Sequence, residues 1–248
     1  MATQNSLNNS SNSLDVTSGL INTTGTVTIN SGTSTMSLST DASATTVNIA
    51  TGSAVKTVTL GSTNSSSSLA LQFGTADFTL ASATGTVMSA SDTGEITYPL
   101  QPAFLAQLAT DDLNVTGNGA TYTLGTPTAL TEVFDQNNDF ATGTFTAPVT
   151  GRYWLAAELR MIDLTALMTQ GIFTLVTSNR SYKGGYNSPG AIKNAASQVT
   201  YSVESLCDMD TGDTAQATMV ISNGAGDTAD SDGTTPGLVT IFNGVLIC

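Results

Sequence analysis

The chain has 248 residues, of which 40 % are apolar and only 10 % charged; its formal net charge is −13, with six Lys and Arg in total and no His. That balance excludes a surface able to neutralise a run of phosphates, disfavours an anionic membrane, and removes His-dependent hydrolysis and His-ligated zinc. Ser, Thr, Gly and Asn fill the gap left by charge, which favours strands and turns over helices.

Residues 1–24 are polar and rich in Asn and Ser, and are expected to be an N-terminal attachment or flexible segment. They carry neither a basic n-region nor an apolar h-region, so no signal peptide is expected and the chain is expected to fold in the cytoplasm. No run of about 18 apolar residues occurs, so no membrane insertion is expected.

Residues 25–100 read as a β-repeat shaft. Short apolar-x-apolar units begin at Val27, Met36, Val47, Val58, Leu69, Phe78 and Val87, at spacings of 9, 11, 11, 11, 9 and 9 residues, with turn formers between them. Alternation at period two predicts short strands with one buried face. Each unit offers too few apolar side chains to offset the entropy of ordering it. The pattern therefore predicts a trimeric prism or spiral, in which three chains share one interior; an ordinary single-chain sandwich or solenoid is the competing reading. Residues 46–68 resemble repeats common in bacteriophage tail fibres and virion appendages.

Pro99 and Pro102 mark a boundary, placing the next domain at 101–248. Its FLAQLA run is read either as a helical turn or as a first strand. Beyond it, strands are predicted at 120–124, 130–134, 143–147, 153–160, 171–177, 199–207, 214–222 and 238–247. Such spacing predicts an all-β sandwich or jelly roll.

The densest stretch is GTFTAPVTGRYWLAAELRM, residues 143–161. Phe145 is predicted to point inward, Pro148 to end its strand, and Tyr153, Leu155 and Ala157 to alternate with Arg152, Trp154 and Glu158. Phe145, Tyr153, Trp154 and Phe242 are candidates for the core or for a trimer interface; for Trp154 both readings stay open. The pattern Gly143, Phe145, Ala147, Pro148, Gly151, Tyr153 resembles the corner of the complement globular-head and tumour necrosis factor-like domains. Val133-Phe134-Asp135, Leu206 to Asp213, and Ile241 to Ile247 are similar to further motifs of that family in the same order, although Ala215 and Ala217 stand where larger apolar residues are usual. The resemblance implies a ten-stranded jelly roll forming a tight homotrimer. It also places Cys207 and Cys248 on strands separated by a third, as two thiols rather than a disulfide.

Asp208, Asp210 and Asp213 are weak candidates for a Ca²⁺ loop; the family resemblance assigns Gly212-Asp213 to a structural turn instead. Asp227, Asp230 and Asp232 read as a solvated acidic loop. Arg180, Tyr182, Lys183 and Tyr186 gather cations and aromatics and are candidates for contact with a host glycan or protein; a strand-loop-strand with solvated tips is the plain alternative. No catalytic residue or cofactor is expected, because a thin shaft and a small jelly roll leave little room for a long sugar cleft, and no nucleic-acid partner is expected because cations are so few. The whole reads as a homotrimeric phage fibre protein, structural and adhesive, assembled in the host cytoplasm and located in the virion, where residues 1–24 are expected to contact other virion proteins. The alternative is a trimeric capsid decoration protein held by its N-terminal segment.

Overall fold

The structure is a computed structural model. It describes residues 38, 47, 49, 50, 53, 55–61, 69–234 and 237–248. The chain divides into two compact units, Met1–Ala70 and Leu71–Cys248. In the first, the segment 1–24, the repeat unit at Val27 and Met36 itself lie outside the described residues, while Leu38 of the Met36 unit is described and exposed. Val47, Ile49, Val55, Val58 and Leu60, which are described, are all exposed.

The second unit opens with a small antiparallel sheet: β1 (Phe78–Ser82), β2 (Gly85–Ala90) and β3 (Ile96–Thr97). Between β2 and β3 the carboxylate of Glu95 accepts hydrogen bonds from the hydroxyls of Ser91 and Thr93, which pull its pKa down to about 2. The repeat units that begin at Phe78 and Val87 fall on β1 and β2.

The rest is a sandwich. Its strands, in chain order, are β4 (Ala103–Gln107), β5 (Asp112–Thr116), β6 (Thr121–Thr123), β7 (Thr131–Asp135), β8 (Phe140–Ala141), β9 (Thr144–Thr146), β10 (Gly151–Ile162), β11 (Gln170–Thr177) and β12 (Ser181–Asn187). After a one-turn helix α1 (Pro189–Ile192) come β13 (Val199–Met209), β14 (Thr214–Ser222), β15 (Ala229–Ser231) and β16 (Ile241–Leu246). One sheet runs β13-β10-β16-β4-β7, with β15 and β5 continuing beside the far half of β10. The other runs β12-β11-β14, and β14 is flanked on its second side by β6 and by the β9-β8 pair. The chain crosses repeatedly between the sheets and the last strand pairs beside the first, as in a jelly roll.

Every strand predicted after residue 113 is present, with boundaries shifted by a few residues. FLAQLA is a strand: Phe104 and Ala106 face the core while β16 and β7 hydrogen-bond to either side. Residues 181–187 are a paired strand too. The acidic stretch around Asp230 corrects the expectation of a solvated loop. Asp230 and Asp232 are 7 % and 6 % exposed and lie on or beside β15, between β5 and β10. Each carboxylate has local donors that offset its burial: the Asn114 N–H at 2.6 Å for Asp230, and Arg160 Nε at 2.6 Å for Asp232. Asp227 accepts from the Asn118 N–H and is only half-buried.

Four phenylalanines form the centre of the core. Phe104 stacks on Phe140 and Phe145 at centroid distances of 4.7 and 5.0 Å and meets Phe242 edge-on at 5.1 Å. Tyr153 packs against Phe145 and donates its hydroxyl to the Val149 carbonyl at 2.7 Å, tying down the corner that Pro148 begins. Two glycines of that motif are required by close backbone approach. Gly143 has φ +82° and a Cβ there would lie 2.2 Å from the Leu124 carbonyl oxygen; at Gly151 a Cβ would lie 2.7 Å from the Cys248 carbonyl oxygen.

Candidate functional site: a sheet face and an edge strand

β10 is the central strand of its sheet, and its two faces differ in chemistry. Tyr153, Leu155, Ala157, Leu159 and Met161 are buried in the sandwich. The alternate residues Arg152, Trp154, Ala156, Glu158 and Arg160 lie on the opposite face, turned away from it. Register gives that face its rows. Trp154 stands between Leu206 of β13 and Val245 of β16, and Val245 is paired with Ala103 of β4. The next row reads Glu204, Ala156, Asn243, Leu105, Phe134, and the one after it Ser202, Glu158, Ile241, Gln107. Trp154 is 40 %, Leu206 52 % and Phe134 49 % exposed. A tryptophan flanked on both sides by exposed aliphatics is a contiguous apolar band, not scattered surface residues. The small side chain of Ala156 leaves a shallow depression of about 200 Å³ beside it, lined also by Glu158, Glu204, Ser202 and Asn243.

Phe145, Tyr153 and Phe242 are thus core residues, whereas Trp154 lies on the outward face. The four host-contact candidates separate along β12 and the turn before it. Arg180 is held in a two-point ion pair by Asp208, Nε to Oδ1 at 2.9 Å and Nη2 to Oδ2 at 2.6 Å. That bond pulls the Asp208 carboxyl down to about 2 and pushes the guanidinium further up. Tyr182 is half-buried beside Cys207, and its hydroxyl is pushed up by burial and then by Cys207. Lys183 is exposed, and Tyr186 is 68 % exposed with its hydroxyl accepting from Gln170 Nε2 at 2.9 Å. Arg180 sits at the end of the sandwich where the chain enters β4, while Tyr186, opposite Ile172, lies toward the other end.

In the turn that holds Asp208, Asp210 and Asp213, protein donors meet one carboxylate after another. Asp213 Oδ2 accepts from Asn179 Nδ2 at 2.6 Å and from the Asp210 N–H at 2.8 Å; Asp210 Oδ1 accepts from the Thr150 hydroxyl. This is the geometry of a side-chain-closed turn. Among the described residues no group of three or more His, Cys, Asp or Glu side chains is placed to hold a metal ion. Cys207, on β13, is buried and Cys248, beyond β16, is exposed; both are free thiols, with β10 between their strands.

No family model matches the chain, and no curated protein sequence matches it. Among solved structures the chain is similar to the globular domain of zebrafish complement 1qA protein, at 17 % identity and a TM-score of 0.38, over 60 % of this chain and 98 % of that one. It is also similar to murine APRIL crystallised at pH 8.5, at 9 % identity and a TM-score of 0.38, over 59 % and 99 % of the two chains. The APRIL structure at pH 8.0 gives 10 % and 0.39 over the same shares. The jelly-roll assignment rests on the strand pairings described above, independently of these likenesses.

Sequence reasoning missed the acids of β15 and the row composition of the outward face. The first carries no local signal, since its burial is imposed by strands distant in sequence. The second was open to it: Leu206, Trp154 and Val245 each occupy the outward phase of a predicted strand, but only the register aligns them.

Proposed function

We propose that the chain is a non-enzymatic, self-associating structural protein that assembles as a homotrimer and serves as a fibre of a virus particle. Its sandwich contacts a host surface in that role. The observation that carries the self-association is the Leu206–Trp154–Val245 row, an exposed apolar band across three strands of one sheet face. The exposed Val55, Val58, Leu60, Leu69 and Leu71 add to it: in a chain with so few charges, apolar side chains left open by their own chain favour burial against further copies. The number three follows the motif resemblance at residues 143–153 and 206–213. The virion setting follows the low-complexity repeat at 46–68. Host contact is assigned to the exposed Lys183 and Tyr186 on β12, with avidity from threefold display.

The first test is the solution mass of the purified chain. Three times 25.3 kDa is expected; a monomer at micromolar concentration would overturn the reading. The second is labelling of the assembled particle. Label at the tail tip supports host contact, and label at capsid positions replaces it with the decoration role.

A further inference from the structure

Within the outward sheet face, two carboxylates stand apart from their surroundings. Glu158 on β10 is paired with Ser202, and Glu204 on β13 is paired with Ala156. They are therefore diagonal neighbours across the ladder, about 7–8 Å apart with their Cβ atoms somewhat closer, and both line the depression beside Ala156. Both are exposed, and neither side chain has a hydrogen bond or ion pair among the described residues. The cations nearby are committed or turned elsewhere. Arg160, the next outward residue after Glu158, is drawn toward the β15 side by Asp232 at 2.5 Å. Arg152 flanks Asp208 at the opposite end of the face, and Arg180 is paired with that same aspartate. On β12, which packs beside β13, Lys183 forms no ion pair among the described residues. β16 and β4 contribute no charge, since their outward residues are Ile241, Asn243 and Val245, and Ala103, Leu105 and Gln107. On β7, Glu132 and Asp135 are paired with the core-facing Ala106 and Phe104 rather than with outward positions.

We propose that assembly through this face is linked to protonation, with Glu158 and Glu204 as the groups that take up the protons. The inference rests on the self-association argued above and names its regulation. Glu204 is one outward position from Leu206, about 7 Å along the strand. A contact that buries the Trp154 row therefore takes Glu204 and its neighbour Glu158 into its margin. A carboxylate that loses water in such a margin, beside a second carboxylate, has its pKa raised. The assembled state then binds more protons than separated chains. Its stability is complete below the ordinary glutamate value and is lost as pH rises through the raised one. A raise of one unit on one carboxyl corresponds to a tenfold change in association.

The experiment is sedimentation equilibrium of the full chain, in graded urea, at pH 5 and pH 8, for the unmodified protein, for E158Q/E204Q, and for E132Q as a carboxylate off the face. The expected result is dissociation at least about tenfold weaker at pH 5 than at pH 8 for the unmodified chain and for E132Q. In E158Q/E204Q that ratio shrinks and association at pH 8 tightens. A stable assembly whose pH ratio is unchanged by E158Q/E204Q overturns the proton linkage and leaves the trimer standing. A monomer under every condition overturns the trimer and the linkage together.

Discussion

Trp154 stands across the β10–β13 ladder from Leu206, outside the sandwich, while its neighbour Tyr153 is paired with Cys207 inside it. One strand therefore serves two surfaces, and substitutions at adjacent positions should have separable effects. Trp154→Glu should leave the far-ultraviolet spectrum and the fold intact, because the side chain is already 40 % exposed in a single chain. It should nonetheless weaken self-association by at least about 30-fold, as expected for a central aromatic anchor. An unchanged mass distribution for Trp154→Glu would move the interface to another face.

Phe104→Ala should act on the fold itself. Phe104 touches Phe140, Phe145 and Phe242 and is 2 % exposed, so truncation opens a cavity where both sheets meet. A loss of about 3–5 kcal/mol in urea unfolding is expected. A loss below about 1 kcal/mol would mean that the sheets close over the gap.

Asp230→Asn should stabilise the sandwich at neutral pH. Burial raises the Asp230 carboxyl, and Asp163 and Asp111 raise it further. A carboxyl raised by folding favours the fold below its unfolded value and opposes it once pH has risen through the folded one. Asparagine keeps the acceptor for the Asn114 N–H and removes the charge. The melting midpoint should rise by roughly 2 °C at pH 7, with the gain vanishing toward pH 3. A gain that persists at pH 3 would point to packing instead.

Cys207 should stay unreactive until the sandwich opens. It is buried, and burial raises its thiol pKa, so the reactive thiolate is scarce as well as shielded. With a thiol reagent at pH 8, no more than one thiol per chain should titrate in buffer and two in denaturant. Rapid titration of both in buffer would contradict the placement of β13.

The phase of β10 was legible in the sequence because alternation is local: Tyr153, Leu155 and Ala157 declare one face and Trp154 and Glu158 the other. The glycines at 143 and 151 were legible as a motif, although their reason, contact with the Leu124 and Cys248 carbonyls, is tertiary. Asp230 and Asp232 were not legible. A GAGDTADSDG stretch has the composition of a surface loop, and only the Asn114 N–H and Arg160, far away in sequence, make burial tolerable. The candidate face fell between these cases. Its members could be read one strand at a time, while the row joining Leu206, Trp154 and Val245 exists only through pairing register.

Pro102 and Leu246 are joined by a backbone hydrogen bond, and the Arg152 N–H donates to the Cys248 carbonyl. The incoming and outgoing strands of the sandwich therefore share one end, and the Asn194–Ser197 turn lies at the other, some ten residues along β10 or about 35 Å away. For anyone grafting a foreign epitope or reporter onto this scaffold, a fusion after residue 248 would crowd the incoming chain. A graft in the 194–197 turn would project freely from the opposite pole.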